Sequence, residues 1–577
     1  MPLEFRALFR AYQADRRKAK TRMAWLDRRD DPVYRHRYMK TLFRRQLRYK
    51  LLKVLLSFIS LFIFCTAGTG RSDGGELPGA IRNIMQKPRY SEATWALRVV
   101  DLKSGEVIYN LNSQDELLTG SVRKLYSVGV ALNELGPDYR FKTPVFRNGK
   151  IDASGDLKGD LILVAKGDLT MGGRDNGNDT IAITDLDHCD ANNLGSAILT
   201  KPDPLAGLNK LAAQVAASGI RRVSGDVIID DRLFKEFRVP NQRLLITPIV
   251  INDNRIDVTI LPTEAGERAT IEWRPHTAAF KVKNDVMTVP AEGKTSITLT
   301  RSGPHEGIVS GEIAAGFKPS LPGVDKLVQT FRIDDPDPAD FQEPAAFART
   351  TFIEALRRAG VKVNARLVAP NPSDKLPAPD SYHSQAKVAE LVSAPYAQYS
   401  RLILKVSHNL GANLSLMLFG LANSVNTMQN ALSMEAATLA DIYGLPGNGF
   451  DFPTNGSGSP DSRASAETTV ELLASLSRRR TFPSYFDSLP ILGVDGSLAE
   501  IGIDSPARGS VFAKTGTFLD DGRIKAQVLA GYIHARTGRR LAYALYVNDA
   551  GEITDIADVL SVIRDEGEIS TIIQQTN

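Results

Sequence analysis

The chain has 577 residues, 43% of them hydrophobic and 24% charged, an ordinary globular composition with ample material for several cores. Its two cysteines exclude a disulfide framework and a Cys-based zinc cluster, and its seven histidines include no H-E-x-x-H, so no metal or other cofactor is expected. The net charge of +5 belongs to the N-terminus alone: residues 1–67 carry 17 Lys and Arg against 5 Asp and Glu, and the remainder, with 54 basic and 61 acidic residues, is acidic.

A basic arm can bind nucleic acid. Here it runs instead into the apolar stretch Val54 to Ala67, the charge order of a segment whose basic flank stays inside the membrane. That stretch is short against the roughly 20 apolar residues of a spanning helix. It suits a secretory signal, with Cys65-Thr66-Ala67 as a small-x-small cleavage site. Residues 1–50 are read as a basic cytoplasmic arm or a misassigned start, since Met39-Lys40 opens a more conventional signal. Residues 51–67 are read as a signal peptide or membrane anchor, which puts residues 70–577 outside the cytoplasmic membrane. Residues 68–90, rich in Gly, Ser and Pro, read as a linker.

Two strand-like runs, Trp95–Val100 and Glu106–Tyr109, flank the turn Lys103-Ser-Gly105. A helix is predicted from Ser121, with Val122, Leu125, Val128, Leu132 and Leu135 at three- and four-residue steps and Gly136-Pro137 as the stop. Residues 146–385 alternate short β-like runs with turns, and 265–345 look mostly β. Val388 to Leu421 carries helical spacing around Ser407. Near the C-terminus, Val511–Phe518, Lys525–Ala535 and Leu541–Val547 read as strands, and Ile553 to Ile563 as a closing helix. An antiparallel sheet with helices on its face is an α+β pattern, and the N-terminal hairpin can complete the same sheet.

Three motifs occur in order: Ser121-Val-Arg-Lys124, Ser407-His-Asn409 and Lys514-Thr-Gly516. Each alone is weak; at average composition about one chain in fourteen of this length carries K-T-G by accident. Together they are the signature set of penicillin-interacting serine acyl-transferases. A serine hydroxyl attacks only when a base takes its proton, and Lys124, one helical turn on, can do so if neutral. Burial, the helix N-terminus and a second cation, Lys514, would each favour the neutral amine. Lys514 and Thr515 can receive an anionic substrate end, and Gly516 can let substrate backbone lie close. The amides of Ser121 and Thr517 can hold the oxyanion. Ser407 can relay a proton to the leaving amine, and Asn409 can hold Lys124 and the substrate amide. His408 is read as a bystander.

The chain thereby resembles the D-alanyl-D-alanine carboxypeptidases/endopeptidases of the low-molecular-mass class C penicillin-binding proteins. Spacing carries the likeness: 286 residues separate Ser121 from Ser407, and 107 separate Ser407 from Lys514. Gly225–Phe234, Val250–Thr259, Leu492–Leu498 and Ala513–Thr517 are similar to family segments. His408, Asn413, Asn455 and the Leu-Leu-Thr-Gly before Ser121 depart from the usual choices. The resemblance implies a penicillin-binding-protein/β-lactamase-like transpeptidase domain, 91–145 plus 386–577. It would carry nested, mostly β insertions, 146–264 plus 346–385 and, within that, 265–345. It implies peptidoglycan stem peptides as substrates, β-lactam antibiotics as covalent inhibitors, membrane contact through an uncleaved N-terminus, and no nucleic acid. The alternatives are a β-lactamase, which lacks so large an insertion, and a non-catalytic wall-binding protein of the same fold.

Overall fold

The computed structural model describes residues 74–187, 196–319 and 323–577. The basic arm, the apolar segment 51–67, Met39, Cys65 and Cys189 lie outside them. Among the described residues no helix is long and apolar enough to cross a membrane.

The N-terminal hairpin and the three C-terminal strands form one sheet. β1 (Thr94–Asp101) and β2 (Val107–Leu111) join β3 (Val511–Asp520), β4 (Arg523–His534) and β5 (Arg540–Asn548) in the order β2-β1-β5-β4-β3, every pairing antiparallel. Alternation along each strand feeds two cores. In β5, Ala542, Ala544 and Tyr546 face a helical layer, while Leu541, Tyr543, Leu545 and Val547 face the opposite side. The helical layer contains α1 (Arg123–Leu135), α2 (Tyr396–Lys405) and α3 (Asn409–Ala422). Residues Asn409 to Gly420 of α3 are buried all round, which is why the segment shows no polar face. The closing helix α4 (Ile556–Thr576) covers the other side of the sheet.

The linker reading of 68–90 fails from Gly79. Residues Gly79–Met85 are a helix that buries Ile81 and Ile84 in the same core as α4. Two isoleucines three apart supply enough apolar surface to dock a segment whose average composition looks like linker.

The insertion leaves through the strand Lys142–Ile151 and returns through Lys387–Val392, and these two pair antiparallel. They belong to a second sheet with Asp156–Val164, Arg222–Val223, Val227–Asp230 and Lys362–Val363. The expected boundaries at 145/146 and 385/386 therefore cut or misplace strands, and 388–392 is extended despite its helix-like apolar spacing. Strands Arg255–Leu261, Thr270–Arg274 and Leu327–Arg332 form a third sheet, and Lys281–Val289, Ser296–Arg301 and Glu306–Ala314 a fourth. Arg255–Leu261 thus pairs with strands of the expected nested segment, ahead of its 265 boundary.

A buried ion pair fixes α1 in the helical layer. Arg123, inside the S-x-x-K motif, makes a two-pronged contact with Glu435 of the helix Met428–Asp441, and both are essentially unexposed. The guanidinium also lies 4.0 Å from the Phe452 ring centroid. Removing one partner of such a pair leaves an uncompensated buried charge. Glu435→Ala is expected to lower stability by about 3–5 kcal/mol, read by thermal or denaturant unfolding.

Candidate active site

The site is assembled where three bare backbone positions meet. Ser121 lies in the 3₁₀ turn Gly120–Val122 that feeds directly into α1. Gly120 has φ +46°, and a Cβ there would come within 2.8 Å of the Gly516 carbonyl carbon and the Thr517 nitrogen. A Cβ on Gly516 would collide with the Thr119 carbonyl oxygen, and one on Gly458 with the Gly120 carbonyl oxygen. From sequence, Gly516 is expected to make room for substrate. The structure gives that room to the Ser121 turn, because Lys514 and Gly516 face the helical layer while Thr515 and Thr517 face the other side of an alternating strand.

Lys124 is fully buried. Its Nζ lies 2.6 Å from Ser121 Oγ, 3.3 Å from Ser407 Oγ, 2.6 Å from Asn409 Oδ1 and 3.1 Å from the Ser457 carbonyl oxygen. The first two motifs therefore converge on one amine. The carbonyl of Ser457, from the Asn455-Gly-Ser-Gly458 loop, is a partner that motif reading does not name.

Ser407 joins α2 to α3 with φ +64°. A serine in that region stores about 1–3 kcal/mol of strain, which the surroundings must hold. His408 does part of that holding. Its Nδ1 accepts from Gly411 N at 2.9 Å, capping α3, and its Nε2 donates to Asp253 Oδ2 at 3.0 Å. Asp253 sits in the insertion and also meets Arg174, which is paired with Asp187. His408 is thus a structural brace between α3 and the insertion.

The two asparagines that depart from the family pattern both brace the 455–458 loop. Asn455 Oδ1 accepts from Ser457 N at 2.9 Å and Gly458 N at 2.7 Å. Asn413 Oδ1 accepts from Gly456 N at 2.8 Å, and its Nδ2 donates to Ser457 Oγ at 3.0 Å. Asn241, from the insertion, donates to the same Ser457 hydroxyl at 3.0 Å.

On the edge strand β3, Lys514 is buried and donates to the Thr515 carbonyl at 2.6 Å. Thr515 Oγ1 is 2.7 Å from Ser497 Oγ, and Thr517 Oγ1 donates to Gln527 Oε1 at 2.7 Å. Ser497 belongs to the Leu492–Leu498 stretch, whose Asp495 pairs twice with Lys405 at 2.6 Å. Burial lowers the Lys405 pKa, with Asp495 opposing. Thr515 and Thr517 line a cavity of about 580 Å³, walled also by Asn241 of the insertion, Ser497 and the first turns of α4. Among the described residues no group of His, Cys, Asp and Glu is arranged to hold a metal ion.

The D-Ala-D-Ala carboxypeptidase 3 (S13) family matches this chain over residues 77–566. The chain belongs to that family. It is a serine-type D-Ala-D-Ala carboxypeptidase with an α+β, penicillin-binding-protein-like fold. The D-alanyl-D-alanine carboxypeptidase of Actinomadura sp. (strain R39) is 26% identical over 500 residues, covering 82% of this chain and 81% of that protein. The D-alanyl-D-alanine carboxypeptidase DacB of Haemophilus influenzae is 21% identical over 483 residues, 78% of this chain and 84% of its own. The crystal structure of penicillin binding protein 4 from Haemophilus influenzae superposes with a TM-score of 0.62 at 19% identity, covering 85% of this chain and 98% of that one.

In this carboxypeptidase, Gly516→Ala must push the Ser121 turn and β3 apart. Small displacements of reacting groups cost on the order of 100-fold in rate. Hydrolysis of a D-alanyl-D-alanine peptide by Gly516→Ala is expected to fall by about that factor while substrate-independent folding, read by circular dichroism, persists.

Proposed function

We propose that Ser121 is the acylating nucleophile and Lys124 its base. The observation that carries this is the set of oxygens around Nζ. Asn409 Oδ1 and the Ser457 carbonyl can only accept. Nζ lies as a donor 2.6 Å from Ser121 Oγ; once neutral, the amine can spend its two hydrogens on these two acceptors and turn its lone pair to that hydroxyl. An ammonium would have no lone pair to offer.

Ser121 Oγ, giving its proton to Lys124, attacks the carbonyl carbon of the penultimate D-alanine. The amides of Ser121 and Thr517 receive the oxyanion. As the tetrahedral intermediate collapses, the C–N bond to the terminal D-alanine breaks. The proton passes from Lys124 through Ser407 Oγ, 3.3 Å from Nζ, to the leaving amine. Lys514 and Thr515 attract the substrate carboxylate. Water then releases the acyl group from Ser121. Where the leaving amine belongs to a cross-linked stem peptide, the same steps make an endopeptidase. The Haemophilus influenzae protein has been crystallised with a β-lactam. Here such a ring would be opened by Ser121, leaving a stable ester. Peptidoglycan as substrate and the basic-then-apolar N-terminus support action outside the cytoplasmic membrane.

Ser121→Ala is expected to abolish covalent labelling by fluorescent penicillin and hydrolysis of D-alanyl-D-alanine peptides, with an unchanged melting temperature. Labelling that survives the change would assign the nucleophile elsewhere. Monomeric and cross-linked muropeptides, offered separately, report the carboxypeptidase and endopeptidase activities.

A further inference from the structure

Beside the cavity lined by Thr515 and Thr517, a line of side chains that the acyl-transfer steps do not use runs along the α4 face of the sheet. Thr517 of β3 and Gln527 of β4 are direct cross-strand partners. Thr517 Oγ1 donates to Gln527 Oε1 at 2.7 Å, and Gln527 Nε2 donates to Glu566 Oε2 of α4 at 3.1 Å. Gln527 and Glu566 are both fully buried. Glu566 Oε1 has no hydrogen-bond partner among the described residues.

We propose that Glu566, acting through Gln527, sets whether Thr517 offers the cleft a hydroxyl hydrogen or only lone pairs, and so tunes the hold on the substrate's terminal carboxylate. The inference rests on Ser121 as nucleophile and on the K-T-G strand as the wall that receives substrate. It makes Glu566 a positioning residue, remote from the reacting atoms.

Hydrogen-bond inventory sets the direction of the effect. With Glu566 ionised, its carboxylate takes the Gln527 Nε2 hydrogen. The Gln527 carbonyl then takes the Thr517 hydrogen, and Thr517 presents lone pairs to an incoming carboxylate, which repel it. With Glu566 protonated, a hydrogen on Oε1 would find no acceptor, which disfavours that placement. Placed on Oε2, it meets Gln527. The glutamine amide, whose two ends are nearly equal in shape, turns over. Its Oε1 accepts from Glu566, and its Nε2 donates to Thr517. The Thr517 hydrogen is then free for the substrate carboxylate.

The bonds seen in the structure are those of the ionised form, and burial pulls against them toward the protonated one. Burial holds the Glu566 pKa well above the ordinary carboxylate range, and Asp565 adds to the effect. Asp565 is itself bound by Lys87 and Tyr90, at 2.6 Å each. From the sheet, Tyr543 takes a hydrogen bond from Ser570 at 3.1 Å. No cation pairs with Glu566 among the described residues.

The test measures KM and kcat for a D-alanyl-D-alanine peptide across about pH 5–9 in the full chain. Wild-type KM is expected to rise as pH climbs through the Glu566 titration, with kcat moving less. Glu566→Gln keeps the hydrogen bonds without ionising and should flatten that rise. Glu566→Leu should raise KM about fivefold or more at the acid end, with Glu566→Gln restoring it. In a Thr517→Val background the difference between Glu and Gln at 566 should vanish. If Glu566→Gln fails to fold, wild type against Thr517→Val decides: loss of the KM rise supports the inference and its persistence overturns it. Superimposable KM profiles for wild type and Glu566→Gln overturn it as well. That outcome is distinct from a wild-type chain that neither hydrolyses peptide nor takes up penicillin, which would sink the assignment of Ser121 itself.

Discussion

An amine shut away from water must find its hydrogen-bond partners within the protein. Lys124 finds them in the Ser121 turn, the S-x-N junction and the 455–458 loop, which come together from distant parts of the chain. Much of the surrounding architecture follows from that requirement. The loop must hold a carbonyl toward Nζ, so Asn413, Asn455 and Asn241 pin its backbone and its serine hydroxyl. The turn must lie against β3, so Gly120, Gly458 and Gly516 carry no side chain where they meet. The helix bearing Lys124 must stay in register, so Arg123 is locked to Glu435.

Holding polar groups in a dry interior is costly, and the cost is met by packing on both sides of the sheet. The strained backbone lies next to this polar cluster. Ser407 has φ +64°, and Asn252, Asp253 and Asn254 are also left-handed, at 51°, 52° and 54°. The His408–Asp253 bond joins these two strained segments, one in the catalytic body and one in the insertion. Each helps hold the other in a conformation that neither would favour alone.

Much of this is legible in the sequence, for a physical reason. Periodicity locates α1, the C-terminal strands and α4 because each buries a continuous apolar face. The motifs single out Ser121, Lys124, Ser407, Asn409 and Lys514, and the structure brings the first four together at one amine. What stays hidden depends on pairing at long range. The Ser457 contribution is a backbone carbonyl, which no residue type announces. Val388–Val392 looks helical from its own apolar spacing; the neighbour that makes it a strand, Lys142–Ile151, lies far back in the chain. Asn413, Asn455 and His408 look like departures from a pattern; each is a buried brace whose partner is set by the fold. Gly516 stands out in the motif, but that its bare face meets the Ser121 turn is hidden, since strand alternation alone does not say which face that is.

The insertion's two connecting strands have a consequence for how the molecule is made. Lys142 pairs with Val392, and Ser393 N donates to the Phe141 carbonyl at 3.0 Å. The ends of the insertion therefore emerge side by side, like the ends of a hairpin. The chain entropy of closing so long a loop grows only as the logarithm of its length. Once the second sheet has formed, that closure is already complete, and α1 meets α2 and α3 as a near neighbour. Pairing of these two strands thus brings the remote motifs close together in the chain. Weakening of that pairing would loosen the approach of α1 to α2 and α3 even with every residue of the pocket intact.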